Sequence, residues 1–490
     1  METERSALPS GWCDRGGVGA TVGRIALGLV VCASLLLAAL ANAATASSWS
    51  QSVELGSAGY FASPPELAMN ERGDAIAAWE SGPPSSGPSE LEAAYRNAQL
   101  GRWEPAATIA QGPINLGSQV AIDSRGDAIV VWRAGAPGDE ASLWAAVRLA
   151  GAESWSAPVE LGTDSSSLEG RPSVVFDGRS DAYVAWPGPR GISVAVYRAS
   201  GGTWEKPYRR LPTGKRVRVV VDPRGDLILL WEGFARIEVA VVLRGKRRWQ
   251  GPLTILGEEL GPGADPRGGG PALAVDGKGE VLALWSSRPW GSGAAGLYSV
   301  HAAQWSRQGG WRKPMVISRR GWDTGPPYAA SDIKGDTVAI WDASNGGPRP
   351  VTQAAVKPSG RSWRRAIKIS AGQPGGVEPV GQPYPEPRVA LTPSGGAVAA
   401  WELIEPNFAK TIQADVTTSL ATGFGKAVDL AGSTGGVHES ERVGEPDVGV
   451  DARGEAIAVW ERELTGGRVF IEMSEYGPAG APIPVEAGPR

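Results

Sequence analysis

Two cysteines and two histidines in 490 residues leave this chain almost without thiolate or imidazole ligands. Both cysteines, Cys13 and Cys32, lie within the first 43 residues. The remainder therefore has no disulfide framework, no thiolate nucleophile and no cysteine metal site. His301 reads as a structural residue of a strand. His438 stands beside Glu439 and Glu441, but no second histidine or cysteine completes a ligand set, so neither a metal nor a cofactor is expected. An excess of one charge is missing too. Lys and Arg number 48 against 52 Asp and Glu, a net charge of −4 with the signs interspersed. No basic stripe argues for nucleic acid, and no long charge run suggests a disordered tail. Beyond residue 43 there is no sustained helical period.

Long apolar runs are equally scarce, with one exception. Arg15 and Arg24 precede an uncharged stretch from Ile25 to Ala43 that ends in Ala41-Asn42-Ala43, a small-x-small cleavage pattern. Residues 1–43 are thus expected to be a signal peptide, and residues 44–490 the mature domain, secreted or at the cell surface or in the periplasm. The alternative is an uncleaved membrane anchor over residues 25–43, since that length spans a bilayer.

What the chain has in abundance is turns and tryptophan: 68 glycines, 39 prolines and 20 tryptophans. One short unit recurs: an apolar strand, a turn on Asp and Gly, a second apolar strand, then Trp. Its clearest copy runs from Val219 through Asp222 and Gly225 to Trp231. The tryptophans of the copies are Trp79, Trp132, Trp186, Trp231, Trp285, Trp341, Trp401 and Trp460. Each lies six residues after the turn position: Gly73, Gly126, Ser180, Gly225, Gly279, Gly335, Gly395 and Gly454. Asp at the head of the turn accepts backbone N–H bonds, and Gly takes the left-handed conformation without a Cβ clash. Asn70 and Thr392 replace Asp in two copies and offer oxygen acceptors of their own.

The strand after each turn is nearly continuous in apolar residues, which suits burial on both faces. The repeated tryptophans are read as core packing between units. A third, alternating strand and a fourth strand, often opened by a second tryptophan, follow each copy. Four antiparallel strands repeated eight times predict an all-β fold, a single β-propeller of about eight blades, with seven as the alternative. Nine fourth-type strands compete for eight places. The N-terminal strand from Trp49 to Leu55 is expected to close the ring in preference to Pro482–Glu486.

The Val-Asp-x-x-Gly-(Asp/Glu) hairpin followed by an apolar strand resembles the NHL class of propeller repeat. More distantly it is similar to the Asp-box hairpins of sialidase-type propellers. The second strand ends in Trp where NHL repeats commonly carry Asp, and the Asp-to-Trp spacing exceeds that of an Asp box. What a sialidase resemblance would imply, an arginine cluster with acid/base partners, is not assignable in the sequence.

Strand parity puts the Asp-Gly turns at one end of every blade and the variable loops at the other. Function is expected on the variable-loop face or in the mouth of the central channel. Trp290 and Trp322, with Arg288 and Asp323, fall outside the repeat and are candidate binding residues. Asp342 and Glu402, with Glu80, Glu232 and Glu461, follow the hairpin tryptophans and are expected near the channel mouth. No catalytic constellation is legible. The leading expectation is a binding module for a glycan, cell-wall polymer or protein, with no nucleic-acid partner and with membrane contact only through an uncleaved N-terminus. The alternatives are a carbohydrate-active enzyme using loop carboxylates such as Glu402, Glu405 or Asp342, and a structural envelope protein.

Overall fold

The Asp-Gly turn closes as its residues dictate. In the computed structural model, Asp222 Oδ1 accepts the backbone N–H groups of Arg224 and Asp226 at 2.9 and 2.8 Å, while Gly225 sits at φ 86°. The two substitutes fill the same role. Asn70 Oδ1 accepts from Arg72 and Asp74, and Thr392 Oγ1 accepts from Gly396 at 2.8 Å. Ser180 adopts the left-handed conformation in place of glycine, at φ 68°. The acidic residue after the Gly position has a second task at the same end of the blade. Asp74, Asp127, Asp226 and Asp336 each accept a backbone N–H from the turn after the third strand, at 2.7–3.0 Å. The repeated acidic turns thus spend their oxygens on backbone amides.

The structure describes residues 47–478 except 60, 83–87, 136–140, 164–170, 189, 210, 234–235, 247–248, 257–269, 289–295, 346–349, 371–385, 405–408 and 434–440. The expected export segment, Trp290, Glu405 and His438 lie outside the described residues. Among those described there is no helix. The strands form eight antiparallel blades. Blade 4 shows the plan: Lys215–Val221, Leu227–Gly233, Arg236–Val242 and Gln250–Leu256, paired in that order.

The first strands of successive blades adjoin one another, and that of blade 8, Arg442–Val450, adjoins that of blade 1, Glu66–Met69. They form a closed inner ring. Closure uses the N-terminal strand: Val53–Gly59 pairs antiparallel with Arg468–Pro478 of blade 8, Val53 opposite Met473. Trp49 packs on Tyr476, ring centroids 5.5 Å apart.

All eight hairpin tryptophans are at most 2% exposed. Each indole buries about 150–250 Å², roughly 4–6 kcal/mol gross at about 25 cal/mol per Å². A turn hydrogen bond contributes about 1 kcal/mol, so burial between blades dominates and the turns set register. In four blades the indole N–H is met by the residue directly opposite on the third strand. Trp79, Trp231, Trp401 and Trp460 donate to Glu92, Glu238, Gln413 and Glu472 at 2.9–3.1 Å. His301 occupies that register position opposite Trp285, its ring stacked on the indole at 5.8 Å.

Candidate functional site

Because the first strands form the inner ring, polar residues at their variable-loop ends converge. Arg388 begins the first strand of blade 7, and Tyr328 that of blade 6. Glu386 lies two residues before Arg388. Glu66 opens the first strand of blade 1, Asp447 lies on that of blade 8, and Arg171 stands two residues before that of blade 3. Five blades thus contribute to one cluster.

Its geometry is specific. The Arg388 guanidinium stands 3.9 Å from the centroid of the Tyr328 ring. It bonds Glu386 Oε2 at 3.1 Å, and its Nε lies 3.6 Å from Asp447 Oδ1. Tyr328 donates its hydroxyl to the same Glu386 oxygen. Asp447 ties two blades together, because its Oδ2 accepts the backbone N–H of Leu67 at 2.8 Å. On the other side, Arg171 pairs with Glu66 at 3.0 Å. Its stem passes Gly117 of blade 2, where a Cβ would meet Arg171 Cγ at 3.1 Å at a φ of 116°. A side chain at Gly117 would therefore obstruct this reach.

The protonation states follow from burial set against neighbouring charge. Burial raises the Glu386 pKa, but Arg388, the Tyr328 hydroxyl and Arg171 outweigh it and hold the carboxyl below its ordinary range. Asp447 goes the other way. Burial, aided by Glu66, wins over Arg388 and raises its pKa to about 7. The Tyr328 phenol is pushed up, first by burial and then by Glu386, with Arg388 opposing. It is a neutral hydrogen-bond donor at any ordinary pH. Water still reaches the cluster, since the side chains of Arg388, Glu386 and Arg171 are 15%, 27% and 40% exposed. A charged group that packs deeply yet stays open at the mouth is how a binding site looks.

The residues singled out in the sequence are distributed differently. Asp323 Oδ1 accepts the Tyr298 N–H at 2.7 Å, and Arg288 lies over the Tyr298 ring at 5.0 Å. These two candidates therefore meet at one tyrosine between blades 5 and 6. Trp322 is half-buried against the core there. Asp342 is buried and accepts the Thr352 hydroxyl at 2.8 Å. Glu402 is buried and paired with Lys410 at 2.9 Å. Glu232 pairs with Arg216 at 2.6 Å. Glu80 is buried with one oxygen accepting from Gly117 and Ser118 of the next blade, and burial raises its pKa to about 7. Glu461 is raised to about 7 as well, by burial and then by Glu445. Glu80 thus bonds the next blade, whereas Asp342, Glu402 and Glu232 bond residues of their own blades. The arginines and the tyrosine of the cluster escape sequence reasoning because polar residues at a strand's start carry no signal until that strand is known to be innermost.

No family model and no curated protein matches the chain. Solved structures do. The BP39L lectin from Burkholderia pseudomallei is 14% identical with a TM-score of 0.51, over 76% of this chain and all of the lectin (100%). The Dos1 propeller is 9% identical with a TM-score of 0.51, over 90% of this chain and 97% of that one. A polysaccharide lyase, an ulvan lyase bound to a GlcA–sulfated rhamnose unit, is 11% identical with a TM-score of 0.48, over 71% and 90%. The fold is that of an eight-bladed β-propeller, with a charged cluster carried by the first strands of five blades.

Proposed function

We propose that this propeller is a binding module that takes a hydroxyl-rich ligand, a glycan, at the channel mouth. The carrying observation is the balanced set around Tyr328: Arg171 and Arg388 as donors, Glu66 and Glu386 as acceptors, and Asp447 with its pKa raised to about 7. Each guanidinium is already compensated by a carboxylate, so the mouth has little net attraction for a free anion or cation. Sugar hydroxyls both donate and accept, and suit a rim that offers both kinds of partner. A lectin among the structural neighbours uses the same fold; the ligand class here is argued from the residues. Export through residues 1–43 belongs to the same proposal, and N-terminal sequencing of the exported protein tests it by showing whether the chain begins after Ala43.

A second reading, glycoside cleavage, is favoured by one observation. Arg171 and Arg388 surround a Tyr–Glu pair that Arg218 also influences, the arginine cluster a sialidase-type site requires, with Asp447 able to carry a proton near pH 7. The binding reading is preferred because the phenol is held protonated rather than activated as a nucleophile.

A glycan array probed with the purified protein tests the first reading, alongside Tyr328→Phe and Arg171→Gln variants. Glycan capture that weakens by roughly tenfold in both variants is expected, each losing a bond to a charged or desolvated partner. No capture by the wild type, or capture indifferent to both substitutions, overturns it. Release of reducing sugar or unsaturated product from the captured glycan would establish the second reading instead.

A further inference from the structure

Away from the channel, the outer edges of blades 5 and 6 border one cleft of about 660 Å³. Two sequence runs meet there, 307–322 and 357–369, and neither contains an Asp or Glu. Arg319 and Arg320 line it from blade 5, Arg364 and Arg365 from blade 6, and no lining residue is acidic. Arg312, Lys313, Arg361 and Lys368 lie on the same two runs. On a chain of net charge −4, this is a concentrated field of one sign.

The cleft is prepared for an anion. Arg319 lies with its guanidinium 6.0 Å from the centroid of the Trp322 ring, and its buried Nε meets no hydrogen-bond partner among the described residues. Arg364 is already used, donating to the carbonyl oxygens of Leu420 and Ala421 at 3.2 and 3.3 Å. Arg320 and Arg365 are exposed. Trp322 and Trp363 form part of the lining while packed against the core of these blades. Met315 and Val316, 49% and 53% exposed, supply an apolar wall.

We propose that this cleft binds a linear acidic polysaccharide. Arg319, Arg320 and Arg365 pair with its carboxylate or sulfate groups, and the C–H faces of the sugars rest on Trp322, Trp363 and the Met315–Val316 wall. Guanidinium groups match planar or tetrahedral oxyanions in a bidentate way. The concave shape selects against a lipid surface, which requires a protruding apolar face. The indoles are anchored in the core, so they offer edges and partial faces rather than the open platforms on which nucleic-acid bases stack. The site is independent of the channel mouth, and a single substitution separates the two.

Affinity electrophoresis of the full chain through gels holding polygalacturonate, dextran sulfate or neutral dextran tests the assignment. Retardation by polygalacturonate assigns a uronate ligand, and retardation by dextran sulfate a sulfated one. Neutral dextran should have no effect, and the retardation should fall as salt is raised. Arg320→Glu with Arg365→Glu should weaken binding by roughly tenfold or more, whereas Tyr328→Phe should leave it unchanged. Equal melting temperatures establish that the double variant is folded; if it melts early, Arg320→Gln with Arg365→Gln reads the same loss. The proposal is overturned if neither polyanion retards the protein or if the double variant binds as well as the parent. It is likewise overturned if a single-stranded oligonucleotide or phosphatidylglycerol vesicles are captured while both polysaccharides are not.

Discussion

Gly56 of the closing strand lies against the indole of Trp79, so that a Cβ added at Gly56 would stand 2.4 Å from Trp79 Cζ2. The contact joins the strand that completes blade 8 to the core of blade 1, so the ring's seam depends on the missing side chain. Gly56→Ala should force the indole or the strand to shift, at a cost of about 1–3 kcal/mol for overpacking. Gly178→Ala, where nothing lies within 4 Å of the new methyl group, is the matched control. Thermal melting of both variants checks the expectation. Equal midpoints would show that the seam has slack.

The turn acceptors should show a graded response. Asp222→Ala removes the acceptor of one buried and one half-buried N–H bond, which costs about 1–3 kcal/mol. Asp222→Asn retains one acceptor oxygen in the arrangement Asn70 already uses, and should cost less. Urea unfolding curves of the two variants should therefore separate, with Ala the weaker.

Glu80 makes the blade 1–blade 2 contact sensitive to alkali. Its folded pKa of about 7 lies above that of an unfolded glutamate, so between those values the folded state holds the extra proton. Stability from this group is present at low pH and is lost as pH rises through about 7. Glu80→Gln keeps an oxygen for Gly117 and Ser118 and cannot ionise. Its melting temperature relative to the parent should be higher at pH 8 than at pH 5. A constant difference across that range would rule out the titration.

His301 has the opposite sign. Burial lowers its pKa to about 4, so the unfolded state takes up a proton first as pH falls. Its contribution is intact above the ordinary histidine value and is lost as pH falls toward about 4. Gln353 and Gln413 occupy the matching register positions opposite Trp341 and Trp401, so His301→Gln should fit. The variant should lose less stability than the parent between pH 6.5 and 4.5. Parallel melting curves over that interval would contradict this.

The blade count, the hairpin turns, the eight tryptophans and closure by the strand at Trp49 were all legible, because each depends on local chemistry repeated at a fixed period. The candidate sites were legible only in part. Trp322, Asp323 and Arg288 stood out as exceptions to the repeat, and the structure gathers Arg288 and Asp323 around Tyr298. Asp342 and Glu402 carried the right chemistry, yet they are buried between strands because blade packing covers the residues that follow the hairpin tryptophans. The sequence showed no basic stripe, since Arg319–Arg320 and Arg364–Arg365 are separate pairs until two outer strands border the same cleft.

By itself, then, the order of residues determined the secondary structure, its register and the number of blades. Asp, Gly and Trp at fixed spacing act over a few residues, and their effect is the same in every copy. Only the tertiary structure decided which side chains share a site. Glu66, Arg171, Tyr328, Glu386, Arg388 and Asp447 are separated by up to 381 residues, and they meet because the ring closes and brings the innermost strands of five blades together.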